Sequence, residues 1–178
     1  MNALNDPLGT IDMELVTLKD LYVAELQELL SAEAQLAEPL ARVAEVVSHV
    51  GFKEALNRHS EDTLVQKQRI AKILQKHEAE VEAHTDQAMQ ALVREVAKML
   101  VLLRRNKLRD AGLIGSLQRL EHYEIAACGS AAALAGQMGL RDDQKLLHQN
   151  LEDNKRFDAL LTQLAKDELN RHALSGAA

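Results

Sequence analysis

The chain contains no tryptophan, two phenylalanines, two tyrosines, two prolines and one cysteine in 178 residues. A lone thiol, Cys128, excludes an internal disulfide and fits a reducing compartment. Aromatic residues are scarce, while Leu, Ala, Glu, Gln, Lys and Arg, the strong helix formers, dominate. No apolar run approaches the roughly 18 residues of a membrane span, and the N-terminus MNALNDPLGTIDMELVTL lacks the basic start and apolar core of a signal peptide. A net charge of -6 argues against nucleic acid as the main partner. The single basic run, Arg104, Arg105, Lys107 and Arg109, reads as a solvated connector. Gly-rich phosphate loops, a G-x-S-x-G elbow and C-x-x-C pairs are missing too, so nucleotide-dependent and thiol chemistries lack their usual residues. These absences describe an all-α, cytoplasmic protein without membrane or nucleic-acid partners.

What is present is helical periodicity. The reading divides the chain into a flexible leader, residues 1–11, one four-helix domain over residues 12–170, and a flexible tail, residues 171–178. Apolar residues recur at helical spacing from Asp12 to about Val50 (Leu18, Leu21, Leu29, Leu36, Leu40, Val43, Val47), with Pro39 expected to bend the helix and Gly51 to end it. A second helix follows from Phe52 to about His77, a third over about Leu108 to Ala135, and a fourth over about Asp142 to Leu169. The long segment between the second and third has its own pattern, Met89, Leu92, Val96, Met99 and Leu103. Two short turns and one long crossover with a short extra helix match the connectivity of a ferritin-like bundle.

An internal repeat supports this pairing. At an offset of 91, Leu29 maps onto Leu120, Glu33 onto Glu124, Leu56 onto Leu147, Asp62 onto Asp153 and Ile70 onto Leu161. Two helix pairs related by an approximate twofold would produce such a pattern.

The polar residues within it are the candidate site. Residues three apart on a helix project to one side, so Glu121 and Glu124 share a face with Leu117, Cys128 and Ala131. Glu33 lies near the leucine stripe of the first helix, His59 and Asp62 sit three apart on the second, and Asp153 lines up with Leu146 and Leu160. Carboxylates in a core are costly unless a positive charge pairs them. Acids from four helices with one imidazole form the donor set of a carboxylate-bridged dinuclear centre, and hard oxygen donors suit iron or manganese. The metal-free alternative puts the same side chains at solvated helix boundaries. His122 points about 100° from Glu121, which predicts a surface position or a hydrogen bond to a ligand. Tyr22 and Tyr123 are expected to pack with their hydroxyls at polar edges, and Cys128 to be a small buried hydrophobe.

The stretches LKDLYVAELQELLSAEAQL from Leu18 and DAGLIGSLQRLEHYEIAACG from Asp110 carry a further signal. With them the chain resembles the YciF-like family of ferritin-related bacterial proteins over about residues 15–170. The resemblance implies a ferritin-like bundle, a homodimer rather than a cage, two metal ions and a link to stress responses. By position it implies Glu33, His59, Asp62, Glu121, Glu124 and Asp153 as ligands. Asp62 stands where the family has Glu, and Asp153–Asn154 where a Glu pair is usual, which predicts weaker metal binding or the loss of one metal. The leading functional expectation is a dimetal carboxylate protein that oxidises Fe(II) or consumes oxidants. The competing one is a dimeric structural or interaction bundle with a degenerate site.

Overall fold

A computed structural model describes residues 15–81 and 85–175. The expected leader and the first residues of the expected domain lie outside this range, as do residues 176–178. Five long helices account for most of it: α1 Leu18–Val46, α2 Val50–Lys76, α3 Gln87–Leu102, α4 Asn106–Gln137 and α5 Arg141–Leu164. A π-helical turn, Ala165–Leu169, leads into a last short helix, α6 Asn170–Ser175. The described residues are thus all-helical, with α3 inside the expected crossover.

Two boundaries differ from the sequence reading. The first break falls at Val47, Ser48 and His49, and Gly51 lies inside α2. A carboxylate from another helix explains the shift. Asp110 on α4 is buried and accepts from the Ser48 amide at 3.1 Å, the Ser48 hydroxyl at 2.6 Å and the His49 amide at 2.9 Å. Donors left open where α1 and α2 meet find their partner there, and the His49 ring then caps α2 by accepting from the Phe52 amide. At the other end, residues 171–175 continue the helix where a flexible tail was expected. Pro39 sits within α1, which runs on past it. The α4–α5 turn uses Gly139 at φ +71, a conformation open to glycine, with the Leu140 amide returning to Ala135 O at 2.9 Å.

The helix pairs α1/α2 and α4/α5 pack against each other through α1 on α4 and α2 on α5. Their ends follow the repeat: an offset of 91 carries Val46 onto Gln137 and Val50 onto Arg141, where α4 ends and α5 begins. The long helix α3 lies over α4 and α1. Asp86 fixes its start by capping Met89 N at 2.8 Å, donating its own amide to Ser31 at 2.8 Å and accepting from the Tyr123 hydroxyl at 2.5 Å.

Buried apolar side chains form two clusters rather than one. The first joins Leu36, Leu40, Phe52 and Leu56 to Leu113, Leu117, Phe157 and Leu161, under Met89 and Val96 of α3. The second joins Tyr22, Leu26, Leu29, Ile70 and Leu74 to Cys128, Ala131, Ala135 and Leu147. Along α1, α2, α4 and α5 the segment between the clusters holds buried polar residues: Glu33, His59, Thr63, Gln66, Glu121, Glu124, Asn150 and Asn154. A polar layer therefore crosses the bundle between two apolar halves.

Candidate metal centre

The layer follows from helix periodicity. On α4, Leu117, Glu121, Glu124 and Cys128 repeat every three or four residues and are all buried, so the inward stripe continues through the acids. The α2 stripe runs Phe52, Ala55, Leu56, His59, Thr63, Gln66, Ile70, and that of α5 runs Leu147, Asn150, Leu151, Asn154, Phe157, Leu161.

Three of these side chains converge. One ligand atom each from His59, Glu121 and Glu124 lies within 4.8 Å of the others. His59 Nε2 is 3.0 Å from Glu121 Oε1, and the imidazole stacks on the Phe157 ring, with centroids 3.9 Å apart and planes 13° from parallel. Glu33, Glu121 and Glu124 have no exposed surface, and His59 retains 2%. Both oxygens of Glu33, both of Glu124 and Oε2 of Glu121 are buried without a hydrogen-bond partner. Native interiors rarely leave such groups orphaned.

Electrostatics sharpens the anomaly. Burial first, and then the charges of Glu124 and Glu121, push the Glu33 carboxyl well above the usual carboxylate range. Burial does the same to Glu124, with Glu121 next in effect, and to Glu121, with Asp158 next. Burial holds the His59 imidazole below its ordinary value despite Glu124 and Asp62 nearby. Without a cation, the layer favours neutral carboxylic acids and a neutral imidazole. A neutral imidazole and three anionic carboxylates released by metal binding are the donor set a divalent cation takes. The orphaned oxygens fit such an ion.

Other expected ligands take different places. Asp62 is partly buried and lines a cleft of about 610 Å³ between α2 and α5, together with His59, Phe157, Arg58, Arg156 and Leu160. Asp153 lies on the same cleft and pairs with Arg69 at 2.8 Å and with Arg156. Neither joins the three-residue cluster. Both stand one residue before an inward position, Thr63 and Asn154, about 100° round the helix from it. Their place is the mouth, not the layer.

Residues that the sequence reading did not select complete the layer. Gln66 Nε2 donates to Asn154 Oδ1 at 2.8 Å, and Arg69 donates to Asn150 Oδ1 at 2.9 Å. The signal for Gln66, Asn150 and Asn154 was the continuation of the inward stripes of α2 and α5; Arg69 lies off the stripe and had none. His122 is exposed, 3.4 Å from Asp158. Tyr22 donates to Asp143, and Cys128 is buried, its thiol pushed well up by burial and then by the charge of Glu33.

Fold and site together define a helical-bundle protein with a buried histidine–carboxylate cluster able to hold a metal. The chain belongs to the YciF-like family: residues 17–174 match the family described as Domain of unknown function (DUF892). It is 35% identical over 162 residues to Protein YciF of Escherichia coli K12, covering 90% of this chain and 98% of that protein. The crystal structure of that E. coli stress protein matches with a TM-score of 0.83, covering 88% of this chain and 99% of the other. YcfI from Rhodopseudomonas palustris matches at 25% identity and a TM-score of 0.81, covering 86% of this chain and 98% of its own. No described helix is long and apolar enough to cross a membrane.

Proposed function

We propose that the His59, Glu121 and Glu124 cluster, with Glu33 in the same layer, binds iron or manganese and that the bound centre consumes a small oxidant in a stress response. The observation that carries this reading is the set of five buried carboxylate oxygens without hydrogen-bond partners. A purely structural bundle would gain nothing from them, because each is a desolvated acid with no compensating contact. When bound, iron or manganese supplies one-electron exchange between its divalent and trivalent states.

The chain's own groups have separable roles. His59 offers a neutral nitrogen because burial disfavours its charged form. Phe157 fixes the plane of that ring from one side, and Glu121 holds its Nε2 edge. Glu33 and Glu124 give up their protons when a cation replaces them. The cleft beside His59, with Arg58, Arg156, Asp62 and Asp153 at its walls, gives a small polar oxidant a path to the layer. The stress role rests on likeness to the E. coli stress protein, and a cytoplasmic homodimer is part of the same proposal.

The test is metal analysis of purified protein, followed by anaerobic Fe(II) loading and exposure to oxygen or peroxide. Bound iron and a ferric absorbance that disappears in Glu124→Ala are expected. Protein that takes up no stoichiometric metal would sink the reading.

A further inference from the structure

The two halves of the bundle are built alike, but only one carries a complete ligand set. The 91-residue relation maps Glu124 onto Glu33, Glu121 onto Leu30, and His59 onto Asn150. It holds for contacts as well as for helix ends. The stacking of His59 on Phe157 has its counterpart in Asn150 Nδ2 donating to Gln66 O at 3.3 Å, since Gln66 is the repeat equivalent of Phe157.

A second cation placed by this relation would meet Leu30, Glu33 and Asn150. Leu30 offers no donor. Asn150 is already engaged, its Oδ1 by Arg69 at 2.9 Å and its Nδ2 by Gln66 O. Glu33 and the free amide oxygen of Gln66 remain, one anion and one weak neutral donor. Beside them stands a fixed positive charge: Arg69 bridges Asn150 and Asp153, where the other half has Leu160 in the equivalent position on the cleft wall.

Resting on the metal-binding reading above, we propose that the layer takes one divalent cation, on the His59 side, and that the Arg69 guanidinium occupies the role of the second. Charge accounting agrees. Glu33, Glu121 and Glu124 bring three negative charges, matched by one divalent ion plus Arg69, while Asp153 is balanced by Arg156. A second divalent ion would leave two uncompensated positive charges in a buried layer, which is strongly unfavourable.

Titration of the wild-type full chain with Mn(II), read by elemental analysis and by electron paramagnetic resonance, decides the matter. One Mn(II) per chain with an isolated-ion spectrum, lost in His59→Gln, supports the proposal. Two per chain, or an exchange-coupled spectrum, overturns it and leaves the metal-binding reading standing. One ion that persists undiminished in His59→Gln overturns the placement. No Mn(II) or Fe(II) bound at all overturns the metal-binding reading itself. The wild-type count and spectrum need no variant, so a His59→Gln chain that fails to fold does not obscure the answer.

Discussion

The imidazole of His59 lies flat against the phenyl ring of Phe157 while its Nε2 edge meets Glu121 at 3.0 Å, so two helices, α5 and α4, fix one side chain of α2. Removal of the ring tests this. Phe157→Ala should cost about 3 kcal/mol or more, the usual range for a buried Phe truncation. It should also weaken metal binding roughly tenfold or more, as loss of a ligand-orienting contact does. Urea unfolding and a competitive Mn(II) titration measure the two effects, and Phe157→Leu should recover most of the stability but less of the affinity.

The acids of the layer give opposite pH dependences with and without metal. Glu33, Glu121 and Glu124 all have folded values raised above 4.5, chiefly by burial. Their contribution is fully present below that value and is lost as pH rises through the folded values, because the unfolded chain ionises first. His59 works the other way below 6.5, but one imidazole is outweighed by three carboxyls. Metal-free protein in chelator should therefore gain stability on acidification from pH 7 to 5, by up to about 1.4 kcal/mol per pH unit for each carboxyl still taking up a proton. Metal-loaded protein should lose stability over the same range as protons displace the ion. Parallel urea curves at three pH values separate the two slopes.

Substituting one acid gives a further check. Glu124→Gln should stabilise the metal-free chain at neutral pH, since a buried amide is neutral without taking up a proton on folding, and should abolish the gain in melting temperature that metal confers. Differential scanning calorimetry with and without Mn(II) shows both changes. A variant that melts lower than wild type in chelator would contradict the account of Glu124 as an unsatisfied acid.

How much of this could be read from residues alone depends on what periodicity encodes. The helices and the crossover helix were legible because Leu18, Leu29, Leu36 and their successors recur at 3.6-residue spacing. The first break was misplaced at Gly51 because the group that fixes it, Asp110, lies 62 residues after Ser48 and carries no local signature. Spacing and repeat together pointed to Glu33, His59, Glu121 and Glu124, which are all buried in one layer. Asp62 looked equivalent to them because a separation of three from His59 suggests a shared face, and Asp153 because it lines up with Leu146 and Leu160 and is the repeat counterpart of Asp62. The stripes in fact advance from His59 to Thr63 and from Asn150 to Asn154, which turns both aspartates to the cleft. Arg69 was illegible, because a lone arginine on a helix ordinarily faces water, and only the packing of α2 on α5 reveals that it reaches Asn150.

At the far end of the bundle, Asp143 is almost fully buried at the start of α5 and accepts from Lys76 at 2.7 Å and His77 at 2.6 Å. Burial raises its carboxyl, but the hydrogen bonds from Lys76 and His77 prevail and hold it below the usual range. Its contribution is present above 3.8 and fades as pH falls through the folded value. Asp143→Ala should lower stability by about 2 to 3 kcal/mol at neutral pH, by removing the acceptor that ties α5 to the end of α2. The loss should shrink at pH 3, which acid titration followed by circular dichroism can check.

The polar layer also shapes how the chain comes apart. Each apolar cluster gathers stretches of all four main helices, and the two meet only across a waist of acids, amides and one imidazole. Without a bound cation, that waist is where the bundle is expected to open first, with backbone amides on either side exchanging with solvent as two separate cooperative blocks. A cation bound in that layer, as proposed above, would sew the blocks into one and so set whether the molecule opens in halves or as a whole.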